Sequence, residues 1–476
     1  MAFGLRLWLL FLRKHPSSEE VWAVLLSQAS AGDIWRATFA DLHGPFYFLF
    51  IHFLSFVSPL PITIVTVRFI SLFFGMIACI GMWHLGILVS GKKVGFICFI
   101  LSLFLPAFVW PAVFARYYSL LIVLTIISLI LFIDYLKQNT TRNLFWLILV
   151  LTVGVYTHYY FILLPVSYTA FLLMFKTYRP VLPKMALVFT SVTVLCTPAL
   201  YYLVTLPKPE LIGRHTNSIL KIPALVITNI VSSETLIFLY LWEKKYVYIP
   251  VLVVLGIVTL FLLFEGYKHW TNSPKLLFVS VLVIPIIITT VFAYTIKPLL
   301  SLGSLQIFMP ALIVVLAYGI RSDLQKSKVL TFIFGIAVVI SMIFLFKTSA
   351  IYQSPRKDFA FFINNYKPNE LVLHSHLGSY LLATHYVGKE NNYEIIRNDS
   401  VTPLTAKGVG LRPISLESLA WFQGGIWYFE SPYVSASESD TLKSQLTRKR
   451  TLVHQEQFWT STANAQETYF NVYYFK

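Results

Sequence analysis

The sequence predicts a polytopic α-helical membrane protein that ends in a small α/β domain, and three observations carry this. Of 476 residues, 57% are hydrophobic and only 12% are charged, against roughly 25% charged in a soluble domain. The mean hydropathy is +0.71. The apolar residues fall into blocks of roughly 17–25 residues, the length a helix needs to cross about 30 Å of hydrocarbon. Lipid admits only helices or closed barrels, and blocks that are continuous rather than alternating select helices. From Tyr352 onward the sequence turns polar and mixed, as a separate water-facing domain requires.

Spans are expected at 62–89, 94–110, 115–136, 143–158, 160–175, 184–204, 247–264, 275–294, 304–320 and 328–347. With the apolar segment 2–12, which is too short to span, this gives about 10–11 membrane helices. That first segment reads as a truncated helix, a wrong start or an interfacial stretch. A cleaved leader fits poorly, because Lys14-His15-Pro16 is not a small-residue cleavage site. Segment 45–59 is short, aromatic and flanked by prolines, which suits a helix lying in the membrane interface.

The net charge of +16 would suggest nucleic acid on a soluble protein. Here the basic residues occupy alternate short connections: Lys92 and Lys93; Lys137 and Arg142; Lys176, Arg179 and Lys184; Lys268 and Lys275; Arg321, Lys326 and Lys328. That pattern is topological and places these connections in the cytoplasm; no nucleic-acid partner is expected. Segment 15–61, loop 205–246 and everything after about residue 348 then lie outside. The domain boundaries are 1–348 for the membrane domain and 349–476 for the extracytoplasmic one. In the latter, Val372-Leu373, Ile426–Phe429, Leu452–His454 and Tyr469–Phe475 read as strands and Asp440–Arg448 as a helix. Cys79, Cys98 and Cys196 all sit in apolar blocks, so no disulfide framework is implied.

Candidate chemistry concentrates on the outer side. Glu19 and Glu20 could act as a general base or hold a divalent ion, or could be the acidic first turn of a helix capped by Ser17-Ser18. Asp41 and His43 follow in the same segment. Arg116 and Tyr117 lie at the outer end of a span, where the arginine is either a bidentate phosphate ligand or an interfacial anchor. His158 sits at an outward turn, as a metal or phosphate ligand or an interfacial polar residue. Lys208, Arg214, His215 and Lys221 make loop 205–246 basic, and Glu234 and Glu243 follow; an ordinary solvated loop is the plainer reading. Asp358, His374, His376 and His385 have no metal spacing and are read as structural. There is no glycine-rich phosphate loop, zinc signature or serine-hydrolase elbow.

The order of these residues is familiar. An acidic pair precedes Asp41-Leu42-His43-Gly44-Pro45-Phe46-Tyr47; then come Val67-Arg68-Phe69, Ala115-Arg116-Tyr117 and Tyr156-Thr157-His158-Tyr159. Over about residues 15–350 this resembles the GT-C membrane glycosyltransferases, specifically the family 39-like proteins related to protein O-mannosyltransferases and lipid A aminoarabinose transferases. The resemblance implies a GT-C fold in a bacterial inner membrane. It implies a polyprenyl-phosphate-linked sugar donor, an inverting transfer outside the cytoplasm, and contact with membrane lipids and an extracytoplasmic acceptor. Such an acceptor would be a cell-envelope glycan, a lipid such as lipopolysaccharide, or a protein. On this pattern Glu19 and Glu20 supply the base, with Glu20 a candidate ligand for Mg or Mn. Arg116 and His43 face the donor phosphate, and Asp41, Tyr117 and His158 line the substrate site. Two departures stand out. Glu19 replaces the more usual aspartate, and Leu302-Gly303-Ser304-Leu305-Gln306 has no arginine where relatives often carry one. A transporter would instead carry charged or broken positions near mid-membrane, which the spans almost lack. A non-catalytic assembly or sensor protein would survive loss of the acidic pair.

Overall fold

The computed structural model describes residues 2–41, 43–205, 260–261, 264, 276–295, 306–321, 325–351, 357–375, 377–395, 407–414, 419, 422–430, 436–456 and 470–476. The basic outer loop 205–246 beyond Thr205, most of span 247–264, residues 302–305 and His376 lie outside these.

The helices run in chain order as α1 (Ala2–Leu12), α2 (Ser18–Ser27), α3 (Ala31–Ala40), α4 (Phe46–Val57), α5 (Ile64–Ser90), α6 (Lys92–Phe104), α7 (Pro106–Val113), α8 (Tyr118–Gln138) and α9 (Thr141–Thr157). A 3-10 turn, Tyr159–Ile162, leads into α10 (Leu163–Met174), α11 (Leu182–Leu195) and α12 (Thr197–Thr205). Next come α13 (Leu276–Thr295), α14 (Met309–Arg321), α15 (Gln325–Ile351) and α16 (Lys357–Asn365). The tail continues with β1 (Leu371–His374), α17 (Leu377–Val387), β2 (Asn392–Ile395), β3 (Arg412–Ile414), β4 (Ile426–Glu430), α18 (Ala436–Lys449), β5 (Leu452–Glu456) and β6 (Asn471–Phe475). Among the described residues the chain divides into two compact units. One holds Met1–Leu10, Arg68–Val204 and those of 214–348; the other holds Phe11–Val67 and Ser349–Lys476.

The first unit is helical. Among the described residues α5 and α8 are long and apolar enough to cross a membrane, and α6 with α7 would make a third span bent by 54°. The single span expected at 94–110 is thus broken. Pro106 lacks the N–H that would bond the Ser102 carbonyl four residues earlier. Arg6 of α1 takes its place: its Nη2 donates to Ser102 O at 2.7 Å and to Leu103 O at 3.4 Å, while Nη1 donates to Gly75 O at 3.2 Å. Arg6 is fully buried, so α1 belongs to the helical core. The exposed face of α15 carries Val329, Phe332, Ile336, Val339 and Ile343, a helical-period apolar stripe that only lipid or protein would cover. At the C-terminal end of α5, the last carbonyls receive side-chain donors: Lys137 Nζ to Leu88 O (3.1 Å), Tyr318 Oη to Val89 O (3.4 Å) and Arg321 Nη1 to Ser90 O (3.4 Å). Cations at a helix C-terminus complement its dipole.

In the second unit, α2–α4 are grouped with the tail domain. Residues 11–67 and the tail therefore pack together within one unit. Helix α4, at 12 residues, is about 18 Å long and too short to span. The tail is a six-stranded sheet of order β3-β2-β1-β4-β6-β5. Strands β1–β4 are mutually parallel and β6 is antiparallel to β4 and β5. The expected strands at 372, 426 and 452, and the part of the last one that is described, are present, with α18 over 436–449. Strands β2 and β3 and helices α16 and α17 were not expected. Each strand has only three or four residues, too few for an alternation to register.

Candidate functional site

In the first unit, the break between α7 and α8 sets the geometry. Phe114 is extended (φ −108°, ψ 131°) and ends α7, which turns Ala115, Arg116 and Tyr117 into the interior. Arg116 and Tyr117 are almost fully buried. Ser71 of α5 donates its hydroxyl to the Arg116 carbonyl at 3.2 Å, tying the break to α5. The Arg116 guanidinium carbon lies 5.3 Å from the Tyr117 ring centre and 6.0 Å from that of Tyr118. An arginine between aromatic faces keeps a planar donor array in a fixed direction.

His158 joins this cluster. Its ring centre is 5.4 Å from that of Tyr117 and it is buried. It caps the 3-10 turn: Nδ1 accepts the Tyr160 N–H at 3.3 Å. The neutral ring therefore carries its proton on Nε2, where it can donate to an oxyanion. The turn requires Gly154, since a Cβ there would lie 2.1 Å from Phe161. The adjacent Arg116 and Tyr117 thus meet His158, which is distant in sequence. Arg68 is also buried, one helical turn before Ser71 on the same face of α5.

In the second unit, Ser17 caps α2 and Glu20 completes a capping box. Glu20 N donates to Ser17 Oγ (3.3 Å), and Ser17 N donates to Glu20 Oε2 (3.1 Å). Glu20 is fully buried beside an equally buried Arg13, 3.5 Å away. Glu19 is exposed. The two carboxylates therefore differ: Glu20 is held by cap and cation, and Glu19 faces water. Arg13 went unnoticed in the sequence because it closes the apolar run 2–12 and looks like a flanking charge. Asp41 and His43 form a close pair, Nδ1 to Oδ2 3.0 Å, and His43 packs on Trp22 at 5.3 Å. Among the described residues no three His, Cys, Asp or Glu side chains are grouped to hold a metal ion. Glu20 Oε2 is shared between Ser17 N and the Arg13 guanidinium.

This architecture is shared with solved structures. ArnT from Cupriavidus metallidurans in the apo state superposes with a TM-score of 0.63 at 12% identity, over 99% of this chain and 97% of that one. The chain has a GT-C fold. ArnT bound to undecaprenyl phosphate gives a TM-score of 0.62 at 14% identity, over 99% and 96% of the two chains. The archaeal oligosaccharyltransferase AglB from Archaeoglobus fulgidus, in complex with an inhibitory peptide and a dolichol-phosphate, gives 0.49 at 9% identity, over 90% and 69%. No protein-family model matches the chain, and no curated protein matches it in sequence. This fold agrees with the resemblance read from the sequence over about residues 15–350.

Proposed function

We propose that this protein is an inverting glycosyltransferase that moves a sugar from a polyprenyl-phosphate donor to an acceptor outside the cytoplasm. The observation that carries the reading is the buried Arg116–Tyr117–His158 cluster in a chain whose fold is that of ArnT, a protein crystallised with undecaprenyl phosphate. In this reading Arg116 takes the donor phosphate, and Nε2 of His158 donates to an oxygen that gains charge as the phosphate leaves. Tyr117 packs against both the Arg116 guanidinium and the His158 ring. Glu19, exposed at the start of α2, takes the acceptor proton, and Glu20 holds that turn in place. Asp41 and His43 line the acceptor side. No step is routed through a metal. The protein lies in a bacterial inner membrane with about 10–11 spans, its second unit outside, and the acceptor is an envelope glycan, a lipid or a protein.

The test is transfer of label from a set of radiolabelled polyprenyl-phosphate sugars by the purified protein in lipid, with membrane extract as acceptor. Wild type should transfer. Arg116→Ala and Glu19→Gln should each lose about 10²-fold or more, the scale of removing one charge-stabilising or proton-transferring group. Glu20→Gln, which keeps the cap acceptor, should lose less. Full transfer by Arg116→Ala would discard the phosphate assignment, and absence of transfer by folded wild type would discard the enzyme reading.

A further inference from the structure

The role of the tail follows from what it touches inside its own unit. Helix α17 packs against α2, the helix that begins at Ser18 and carries Glu19 and Glu20. Near the start of this segment, His15 Nδ1 and Tyr386 Oη of α17 are 3.2 Å apart, with their rings 5.8 Å apart. The second contact is the turn 407–410. Gly408 is buried there, and a Cβ at this position would lie 2.6 Å from Ala37 Cβ and 3.1 Å from Leu26 Cδ1. The turn is itself fixed to α17, since Tyr380 Oη donates to Val409 O at 3.3 Å and Val409 is fully buried. One platform, α17 with its turn, therefore holds α2 through His15 and Leu26 and holds α3 through Ala37.

We infer that the tail domain is a positioning device for the acidic turn at Glu19 and Glu20, and that Gly408 is the position where the fit is closest. The inference rests on the transferase reading only for what the acidic turn does. The carbon at position 37 needs about 3.5–4.0 Å from any neighbour. A side chain at 408 must therefore move α2 and α3 by about 1 Å, a displacement that costs about 10²-fold when it reaches reacting groups. Gly408 touches neither Glu19 nor Glu20, so its effect is on position alone.

The experiment uses the full-length protein in lipid. Gly408→Val should raise amide hydrogen exchange across residues 18–40 about 10-fold or more through loss of close packing. It should lower kcat by about 10–100-fold while KM for the lipid-linked donor stays within about 2-fold. The reciprocal swap, Gly408→Ala with Ala37→Gly, moves the methyl group across the contact and should recover at least half of the rate lost by Gly408→Ala alone. Recovery by the swap excludes simple misfolding. Unchanged exchange in Gly408→Val, or raised exchange with an unchanged rate, overturns the inference. Raised exchange in the variant with no transfer by wild type keeps the packing role of the platform but removes the transferase reading and the catalytic purpose of the turn.

Discussion

At the scale of single residues, burial separates side chains that look alike in the sequence. Glu19 and Glu20 are adjacent, yet one is exposed and the other is fully buried against Arg13. The serine cap and acidic first turn were legible, because they are a local pattern; that Glu20 bonds back to Ser17 N was added by the structure. The Arg13 partner was not legible, because it depends on how the chain folds back. The tail holds a further example in His374, which the sequence offered only as a structural histidine. It is completely buried, with Nδ1 3.0 Å from Ser379 Oγ and Nε2 2.9 Å from Asn392 Oδ1. Burial pushes its pKa down from 6.5 to about 3, against the smaller opposing effect of Asn392. The neutral ring is therefore the folded form. Its contribution is complete above pH 6.5 and is lost as pH falls from 6.5 toward about 3, where the unfolded chain binds a proton that the folded one refuses. At pH 4.5 the loss should be roughly 2–3 kcal/mol. Hydrogen exchange of the β1 and β4 amides, corrected for intrinsic rates, should show protection falling between pH 7 and 4.5 in wild type. His374→Gln should flatten that dependence, and an equally steep fall in the variant would assign acid lability to other groups.

At the scale of elements, two of the expected spans can be compared end to end with helices long and apolar enough to cross a bilayer, which imposes one length on every crossing helix. The expected 62–89 and 115–136 appear as α5 and α8, each displaced by no more than three residues at either end. What hydropathy could not give was the interruption at Leu105, where the apolar run continues but the backbone turns. Pro106 was visible; that Arg6 would satisfy the carbonyl it abandons was not, since 96 residues separate Arg6 from Ser102. This pairing makes a prediction with two arms. Arg6→Met keeps the length of the side chain and removes its donors, leaving buried carbonyls without them. It should destabilise the helical unit by about 1–3 kcal/mol, seen as a fall of several degrees in the detergent melting temperature. Pro106→Ala restores an N–H with which the helix can continue past Leu105 and bond Ser102 O, and should recover part of that loss in the Arg6→Met background. If the second change adds to the loss instead, Arg6 acts through something other than the missing proline donor.

At the scale of the whole molecule, the distribution of charge and the grouping of segments bear on the same question from independent directions. The basic connections fix which loops alternate, and their side chains Lys137 and Arg321 close the C-terminal end of α5. The compact unit formed by residues 11–67 and 349–476 brings those two segments together, although more than 280 residues separate them in the chain. Hydropathy sees neither relation, because both are contacts between distant parts of the chain. The topology can be measured directly, since Cys79, Cys98 and Cys196 are all buried and give a low labelling background. Single cysteines at Ala31, Gln445 and Gln138, all exposed positions, should be probed in intact cells whose outer barrier is permeable to a membrane-impermeant maleimide. Ala31→Cys and Gln445→Cys should react at once, and Gln138→Cys only after the inner membrane is opened. Reaction of Ala31→Cys and Gln445→Cys from opposite sides would be incompatible with one compact unit. The full pattern reversed, with only Gln138→Cys labelled from outside, would keep the fold but place Glu19 in the cytoplasm. The donor would then have to be one whose sugar is presented there, and the reading of the chain as an extracytoplasmic transferase would fall while its helical architecture stood.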